Sequence, residues 1–250
     1  MLVQNLPEGM TLWTLLGVSL ISFIGSFITV AFGIGGGVLV IATLAGLLPP
    51  AALIPVHGVV QLASNATRAG VFFRHILWGA LPWFAVGSVV GAAVGGLVVV
   101  DLDPSYVLIG VGIFVIWSVV RKPPEWLKRW PWLTGVISSF LTMFFGATGI
   151  FVAGYVKSLA LGRHAHVATH ASLMAIQHSL KIIVFGLLGF GFADWGLVIA
   201  AMIAFGLAGT LSGRLVLARV SEALFRRALD IILIVLSLRL IWMGVRGLTG

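Results

Sequence analysis

The sequence contains no cysteine, which excludes a disulfide framework and any metal site built from thiolates. Charged residues are also scarce. They make up 9% of the 250 residues, whereas a soluble domain carries about 25%. This shortage of charge excludes an ordinary soluble domain. The 15 basic residues outnumber the seven acidic ones, and an excess of this kind is typical of the cytoplasmic loops of membrane proteins. No nucleic-acid partner is needed to explain it.

Hydrophobic residues form 60% of the chain, and many of them lie in long apolar runs. Examples are TLWTLLGVSLISFIGSFITVAF at 11–32, SYVLIGVGIFVIWSVV at 105–120 and WGLVIAAMIAFGLAGTLSG at 195–213. Each run is close to the ~20 residues that a membrane-spanning helix needs. A membrane β-barrel would alternate apolar and polar residues, which these runs do not. The sequence therefore predicts an all-α polytopic protein of the inner membrane, embedded in a lipid bilayer.

A weak internal duplication relates the two halves of the chain at an offset of 113 residues. The segment FGIGGGV at 32–38 matches FGATGIF at 145–151. The matching polar pairs are His57 with His170, Asn65 with His178, and Arg68 with Lys181. We predict a first transmembrane repeat at 1–122, a basic cytoplasmic linker at 123–130 and a second repeat at 131–250.

Each repeat begins with a run that is too long for a single crossing. Residues 11–48 would form a helix of about 57 Å, whereas the hydrocarbon core measures ~30 Å. Glycines allow the chain to turn back, at GIGGG in this run and at GATG in the run 131–161. We therefore expect a fold-back hairpin plus three spanning helices in each half, or 8–10 membrane segments in total. Whether each hairpin crosses fully or is re-entrant stays open.

The distribution of basic residues supports this fold-back. It places eleven on the cytoplasmic side, namely Arg74, Arg121, Lys122, Lys128, Arg129, Lys157, Arg163, Arg214, Arg219, Arg226 and Arg227. Only Arg246 then lies outside, whereas eight plain spans would divide the same residues equally. The positive-inside rule favours the fold-back, with both termini outside and the two halves forming an inverted repeat. Arg239, inside the last helix, is the exception, and it must snorkel outward or pair with another group.

Two polar stripes occupy matching positions in the halves. The first falls within an arc of about 100° on a helix and consists of His57, Gln61, Ser64, Asn65 and Arg68. The second consists of His170, Gln177, His178 and Lys181. Ionisable groups in a bilayer usually face a cavity or the bundle interior. The alternative is that these side chains only join helices through hydrogen bonds.

The chemistry of the stripes favours an anion, because they combine Arg, Lys, His and amides with no carboxylate. If the halves are inverted, Arg68 lies level with His170, and His57 lies level with Lys181. The amides and His178 then lie near the midplane. Histidine has an unperturbed pKa of ~6.5, which adds the hypothesis that a proton accompanies each anion.

The glycine motifs are the second set of candidate binding residues. A helix break inside the membrane leaves backbone N–H groups free, and helix N-termini bind anions. The predicted donors are Gly33, Gly35, Gly36 and Gly37 in the first half, and Gly146, Thr148 and Gly149 in the second. The alternative is that these glycines only allow helices to pack closely. GIGGG is not followed by the Lys-Ser/Thr of a phosphate-binding P-loop.

These motifs resemble the sulfite exporter TauE/SafE family, also called the 4-toluene sulfonate uptake permease family. The resemblance rests on GIGGG after an apolar helix, the prolines that follow it, ASNATRAGVFFRH, and a diverged second copy after FFGATG. It covers nearly the whole chain. It implies secondary transport of sulfur-containing anions, such as sulfite, sulfonates or sulfoacetate, across the bacterial cytoplasmic membrane. Thr148 and Ile150 replace glycines that the family usually has, so the two halves of the site are expected to be unequal.

We therefore expect a secondary transporter for a small sulfur-containing anion, with no cofactor, no metal and no enzymatic activity. The alternatives are a passive anion channel, a transporter for a non-sulfur organic anion, and a partner subunit without a transport role. An intramembrane enzyme would need a nucleophile, a carboxylate pair or a metal site, and the stripes contain neither carboxylate nor cysteine. The oligomeric state, monomer or homodimer, stays open.

Overall fold

The structure is a computed structural model that describes residues 6–7, 9–32, 35–99, 103–121, 129–146, 148–216 and 222–249. Within these ranges it contains α-helices and short 3₁₀ turns but no strand. The helices are α1 (Leu12–Phe32), α2 (Gly36–Leu44), α3 (Pro50–Val71), α4 (Leu81–Val99), α5 (Pro104–Val120), α6 (Pro131–Phe145), α7 (Gly149–Ser158), α8 (Arg163–Leu187), α9 (Gly196–Val216) and α10 (Glu222–Thr249). Gly33 and most of the predicted linker lie outside the described residues, and the repeat boundaries stay a prediction.

The prediction of an all-α membrane protein is confirmed. Among the described residues, five helical segments are long and apolar enough to cross a membrane. They are Leu12–Val30, Trp78–Val99, His164–Leu187, Gly196–Gly213 and Asp230–Thr249. Shorter apolar helices occur at Ser105–Trp117 and Pro131–Phe145.

Both glycine motifs interrupt a helix, as the length argument predicts. The breaks include Gly35, with φ 106°, and Gly146, with φ 75°, a backbone conformation that favours glycine. Gly36 packs directly on the carbonyl of Gly25, and Leu47 approaches Gly17, so α2 runs back along α1. The returning helices α2 and α7 have 9 and 10 residues. They are therefore about 14 and 15 Å long, roughly half the thickness of the hydrocarbon core.

Glycines set the closest helix contacts in both halves. A side chain at Gly91 of α4 would strike the carbonyl oxygen of Val136 in α6, and one at Gly209 of α9 would strike that of Phe23 in α1. One turn further on, Gly213 lies next to Phe27. Val136 and Phe23 differ by the offset of 113, so the two interfaces use equivalent positions. Small residues allow such close approach between membrane helices.

The helix pairing has the symmetry that an inverted repeat requires. The main pairs are α1 with α9, α4 with α6, α3 with α8, and α5 with α10. If α1–α5 are exchanged with α6–α10, the first two pairs replace each other and the last two map onto themselves. In α3 and α8 the contacts run antiparallel, from His57 with His178 to Phe72 with His164. This pairing supports the inverted repeat, which stays a prediction.

Arg239 lies on the surface of the helix bundle, and its outward snorkelling stays a prediction. Its side chain is exposed on α10, and its guanidinium reaches the turn after α2, where Nη1 lies 3.6 Å from the Cβ position of Gly46. A cation near the C-terminus of a helix is favoured by the helix dipole. The charge is therefore carried away from the middle of α10 toward the end of α2.

Candidate functional site

A cavity of about 60 Å³ lies where the two polar stripes meet the two helix breaks. It is bounded by α3 and α8 and by the first turns of α2 and α7. Its lining residues are Thr29, Gly35, Gly37, Val38, His57, Gln61, Asn65, Arg68, Gly149, Ile150, His170, Met174 and His178. The two halves of the chain therefore contribute to one shared space.

Most of the predicted site residues line this cavity. Those that do are Gly35, Gly37, His57, Gln61, Asn65, Arg68, Gly149, His170 and His178. Six described residues of the predicted sets do not. Gly36, Gly146, Thr148, Gln177 and Lys181 are buried, and Ser64 is half-buried on α3. Gly36 packs against α1 through the carbonyl of Gly25, so it shapes the break from behind the cavity.

Four lining residues were not predicted: Thr29, Val38, Ile150 and Met174. The duplication could have identified two of them as lining residues. At the offset of 113, Ile150 matches Gly37 and Met174 matches Gln61, and both partners are predicted site residues. Apolar residues at these positions gave no sign of a binding surface. Thr29 donates a hydrogen bond to the carbonyl of Gly25 at 2.9 Å, which is also how a purely structural threonine behaves in an apolar helix.

The N-termini of α2 and α7 both point into the cavity region without a side-chain cap. Their N-cap residues are Gly35, which has no side chain, and Thr148, whose hydroxyl does not bond the first turn. Thr148 instead donates to the carbonyl of Ser138 at 3.0 Å. First-turn N–H groups have no acceptor within their own helix and carry partial positive charge. Two such ends facing one space favour a negatively charged ligand.

Arg68 is held in place by its own helix. Its Nη2 donates to Oδ1 of Asn65 at 2.8 Å, and Nδ2 of Asn65 donates to the carbonyl of Gln61, also at 2.8 Å. The Nε atom of Arg68 is buried and has no hydrogen-bond partner within the described part of the chain. The guanidinium is therefore oriented toward the cavity with donor capacity to spare.

Two histidines make equivalent bonds to the two helix breaks. Nε2 of His57 lies 3.2 Å from the carbonyl oxygen of Gly37, and Nε2 of His170 lies 3.3 Å from that of Gly149. A carbonyl only accepts, so Nε2 carries the hydrogen in both rings. In a neutral ring the other nitrogen, Nδ1, is then an acceptor only. Nδ1 of His57 is buried and unpartnered among the described residues.

Gln177 fastens the second hairpin to α8. Its Nε2 donates to the hydroxyls of Ser138 at 2.9 Å and Ser139 at 3.1 Å, and its Oε1 accepts from Thr148 at 3.4 Å. These bonds occupy both N–H donors of the amide, while its oxygen shares the Thr148 hydroxyl with the carbonyl of Ser138. They direct the amide away from the cavity. The structure gives Gln177 a supporting position, although the sequence stripe places it in the binding set.

The cavity is cationic and has no lining carboxylate among the described residues. The described aspartates lie at helix ends or on exposed surfaces. Asp103 caps α5 by accepting from the backbone N–H of Ser105 at 2.7 Å, while Asp194 and Asp230 are exposed. Within the same ranges no three His, Asp or Glu residues are placed to hold a metal ion.

The cavity is more accessible at one end than at the other. Arg68 and His170, near the end of α3 and the start of α8, are partly exposed. At the opposite end His57 and His178 are 1% exposed and Lys181 is 0% exposed. We refer to these as the open end and the closed end.

These features define a multi-pass membrane protein with a cationic cavity between its helices. A model of the sulfite exporter TauE/SafE family matches residues 18–240, and the chain belongs to that family. The match confirms the resemblance seen in the sequence, and it makes the chain a member of a family of membrane transporters and not of enzymes. No match was found among curated proteins or among solved structures.

Replacement of Gln177 tests whether its role is structural. Gln177→Met would leave the buried hydroxyls of Ser138 and Ser139 without their donor, and we expect a loss of about 1–3 kcal/mol of stability. Gln61→Met is the matched control, because the Gln61 amide lines the cavity and has no protein partner in the described structure. Thermal unfolding in detergent should show a lower Tm for Gln177→Met alone. Equal Tm values would contradict the assignment.

Proposed function

We propose that this protein is a secondary transporter that moves a small sulfur oxyanion of the sulfite class across the bacterial cytoplasmic (inner) membrane. One observation carries the proposal. Arg68 has a buried, unpartnered Nε in the described structure, in a cavity where no described carboxylate balances its charge. An isolated cation inside a membrane protein is costly, and an anionic substrate would supply the missing partner.

The size of the cavity narrows the substrate class. A cavity of about 60 Å³ holds a few water molecules, whereas a buried cavity of ~150 Å³ accommodates benzene. A sulfite ion has four heavy atoms and suits the smaller space. An aromatic sulfonate would require the cavity to enlarge. Sulfoacetate and non-sulfur organic anions remain alternatives that a ligand screen separates.

The residues at the cavity suggest how such an ion is held. Arg68 would neutralise charge and donate hydrogen bonds, as guanidinium groups do to planar and tetrahedral oxyanions. The first-turn N–H groups of α2 and α7 would donate to the remaining oxygens. Gln61 and Asn65 would orient the ion from the same face of α3. Broken helices bind substrate in this way in other transporters with inverted repeats.

A passive anion channel is the main alternative, and the closed end argues against it. His57, His178 and Lys181 are almost completely buried there, so the cavity does not continue as a pore. Alternating access fits this asymmetry, with one half moving against the other. The positive-inside rule would place the open end on the cytoplasmic side, near Arg74, with both termini outside.

The first test is ligand binding by purified protein. Sulfite should raise the Tm, because a ligand that binds only the folded state stabilises it by about 2.7 kcal/mol at 100 times Kd. Sulfate, sulfoacetate, 4-toluene sulfonate and acetate complete the screen. Arg68→Gln should abolish the shift, and Arg68→Lys should retain part of it.

Arg246→Gln is the matched control, because this arginine is exposed and stacks on Trp242 at 4.2 Å. It should bind sulfite like the unaltered protein. A full Tm shift in Arg68→Gln would contradict the proposed site, and a larger shift with acetate than with sulfite would contradict the substrate class.

Proton coupling follows from the histidine geometry as part of this proposal. Because Gly149 occupies Nε2 of His170, the ring offers an anion only an acceptor until Nδ1 gains a proton. The charged and titratable groups that share its cavity are Arg68, His57 and His178. Lys181 lies beyond them at the closed end. Anion binding against His170 would therefore bring a proton with it.

Liposomes with an imposed pH gradient test both the coupling and the channel alternative. We expect sulfite to accumulate against its own gradient, and a protonophore to abolish this accumulation. His170→Gln should keep downhill flux but lose accumulation, because glutamine bonds Gly149 without titrating. Downhill flux only in the unaltered protein would contradict coupled transport. Accumulation of sulfite by His170→Gln would show that the coupling residue is wrong.

A further inference from the structure

The closed end of the cavity repeats the chemistry of the open end. At the offset of 113, Arg68 matches Lys181, Asn65 matches His178, and His170 matches His57. Arg68 and His170 lie at the open end and Asn65 lies near the centre. Their counterparts Lys181, His57 and His178 lie at the closed end. One set thus combines arginine, amide and histidine, and the other combines lysine and two histidines.

The second set forms a compact buried cluster, which we call the inner cluster (His57, His178 and Lys181). The rings of His57 and His178 are 6.1 Å apart. The Lys181 side chain packs on Gly58, whose Cβ position is 3.0 Å from Cδ. Nζ of Lys181 donates to the carbonyl of Gly146 at 3.0 Å, and the Cβ position of Gly146 is 3.4 Å from Nδ1 of His57.

The inner cluster has unused hydrogen-bonding capacity. Nδ1 of His57 and Nδ1 of His178 are both buried and have no partner in the described ranges. Because Nε2 of His57 donates to Gly37, its Nδ1 donates to an anion only when it is protonated. An ammonium group has three donors, and one bond is found for Lys181 among these residues. Buried polar groups without partners are rare in proteins and require an explanation.

Lys181 bonds the C-cap residue of α6, Gly146, where the helix dipole favours a cation, but this bond alone does not explain the buried lysine. The carbonyl of Gly146 also accepts a hydrogen bond from Thr142 at 3.0 Å, so this carbonyl is satisfied without the lysine. The described carboxylates Asp103, Asp194 and Asp230 are exposed, so none of them balances the charge of Lys181. A buried cation with neither a counter-ion nor an acceptor that depends on it suits a site for a transient anion.

We propose that the inner cluster is a second anion station, which receives the oxyanion from Arg68 and releases it at the opposite face of the membrane. This inference rests on the proposed function. Exchanging α1–α5 with α6–α10 replaces the residues of one station by those of the other, just as it replaces the helix pairs. A movement that opens the closed end would expose Lys181 and enclose Arg68. The two cations would then serve successive steps of one cycle and not a single shared pocket.

The test separates binding from transport in Lys181→Gln. Glutamine keeps an N–H donor, one bond shorter than that of lysine, but carries no charge. We expect a sulfite-induced Tm shift like that of the unaltered protein, because binding in this state uses Arg68. Sulfite transport in liposomes should fall by about tenfold or more. Lys181→Arg, which keeps the charge, should transport faster than Lys181→Gln.

Lys181→Met controls for a purely structural role of the hydrogen bond between Lys181 and Gly146, because it removes both the charge and that bond. Equal, low transport in Lys181→Gln and Lys181→Met supports the station. Normal transport in Lys181→Gln, with loss only in Lys181→Met, would overturn it. Loss of sulfite binding in Lys181→Gln would also overturn it, since that result indicates one pocket. Absence of binding and transport in the unaltered protein would overturn the proposed function as well.

Gly58→Ala keeps the test decisive if Lys181→Gln does not fold. Alanine is favoured in a helix, and its methyl group would displace the stem of Lys181 without removing the charge. We expect slower sulfite transport with an unchanged Tm shift. Gly70→Ala is the matched control on the same helix, because nothing lies within 4 Å of its Cβ position. Weaker binding with normal transport in Gly58→Ala would contradict a second station.

Discussion

The candidate site depends on positive charge that is buried with no carboxylate beside it in the described part of the chain. Charged groups are costly inside a bilayer, and a protein normally balances them with an opposite charge or a full set of hydrogen bonds. Among the described residues Nε of Arg68 has no partner, and Lys181 is 0% exposed. Arg68 shares its cavity with the first turns of α2 and α7, which add partial positive charge. Lys181 bonds Gly146 at the C-terminal end of α6. In the proposed function an anionic substrate supplies the missing partner.

The glycines make such a site possible. In α4 and α9 they let helices approach until a side chain would strike a neighbouring carbonyl, as at Gly91 and Gly209. In the breaks they allow the backbone at Gly35 and Gly146 to turn. The free N–H groups that result are tolerated in a membrane because they line a cavity and do not face lipid. Packing and function therefore use the same residue type for different reasons.

The sequence predicted the helical fold, the two breaks and most of the cavity, because periodicity and duplication report which face of a helix is buried. It did not separate lining residues from supporting ones. Gln177 and His178 are adjacent on one stripe, yet Gln177 bonds Ser138 and Ser139 whereas His178 lines the cavity. Met174 was missed because its side chain is apolar, although Gln61 occupies the matching position. These distinctions depend on side-chain directions that only the packed structure specifies.

The most direct test of the account is an experimental structure with selenite, a heavier analogue of sulfite that anomalous scattering can locate. The account predicts a selenium peak in the cavity, within hydrogen-bonding distance of Nε of Arg68 and between the first turns of α2 and α7. A structure in which selenite is absent from the cavity, and Arg68 turns to bond a protein acceptor, would contradict it.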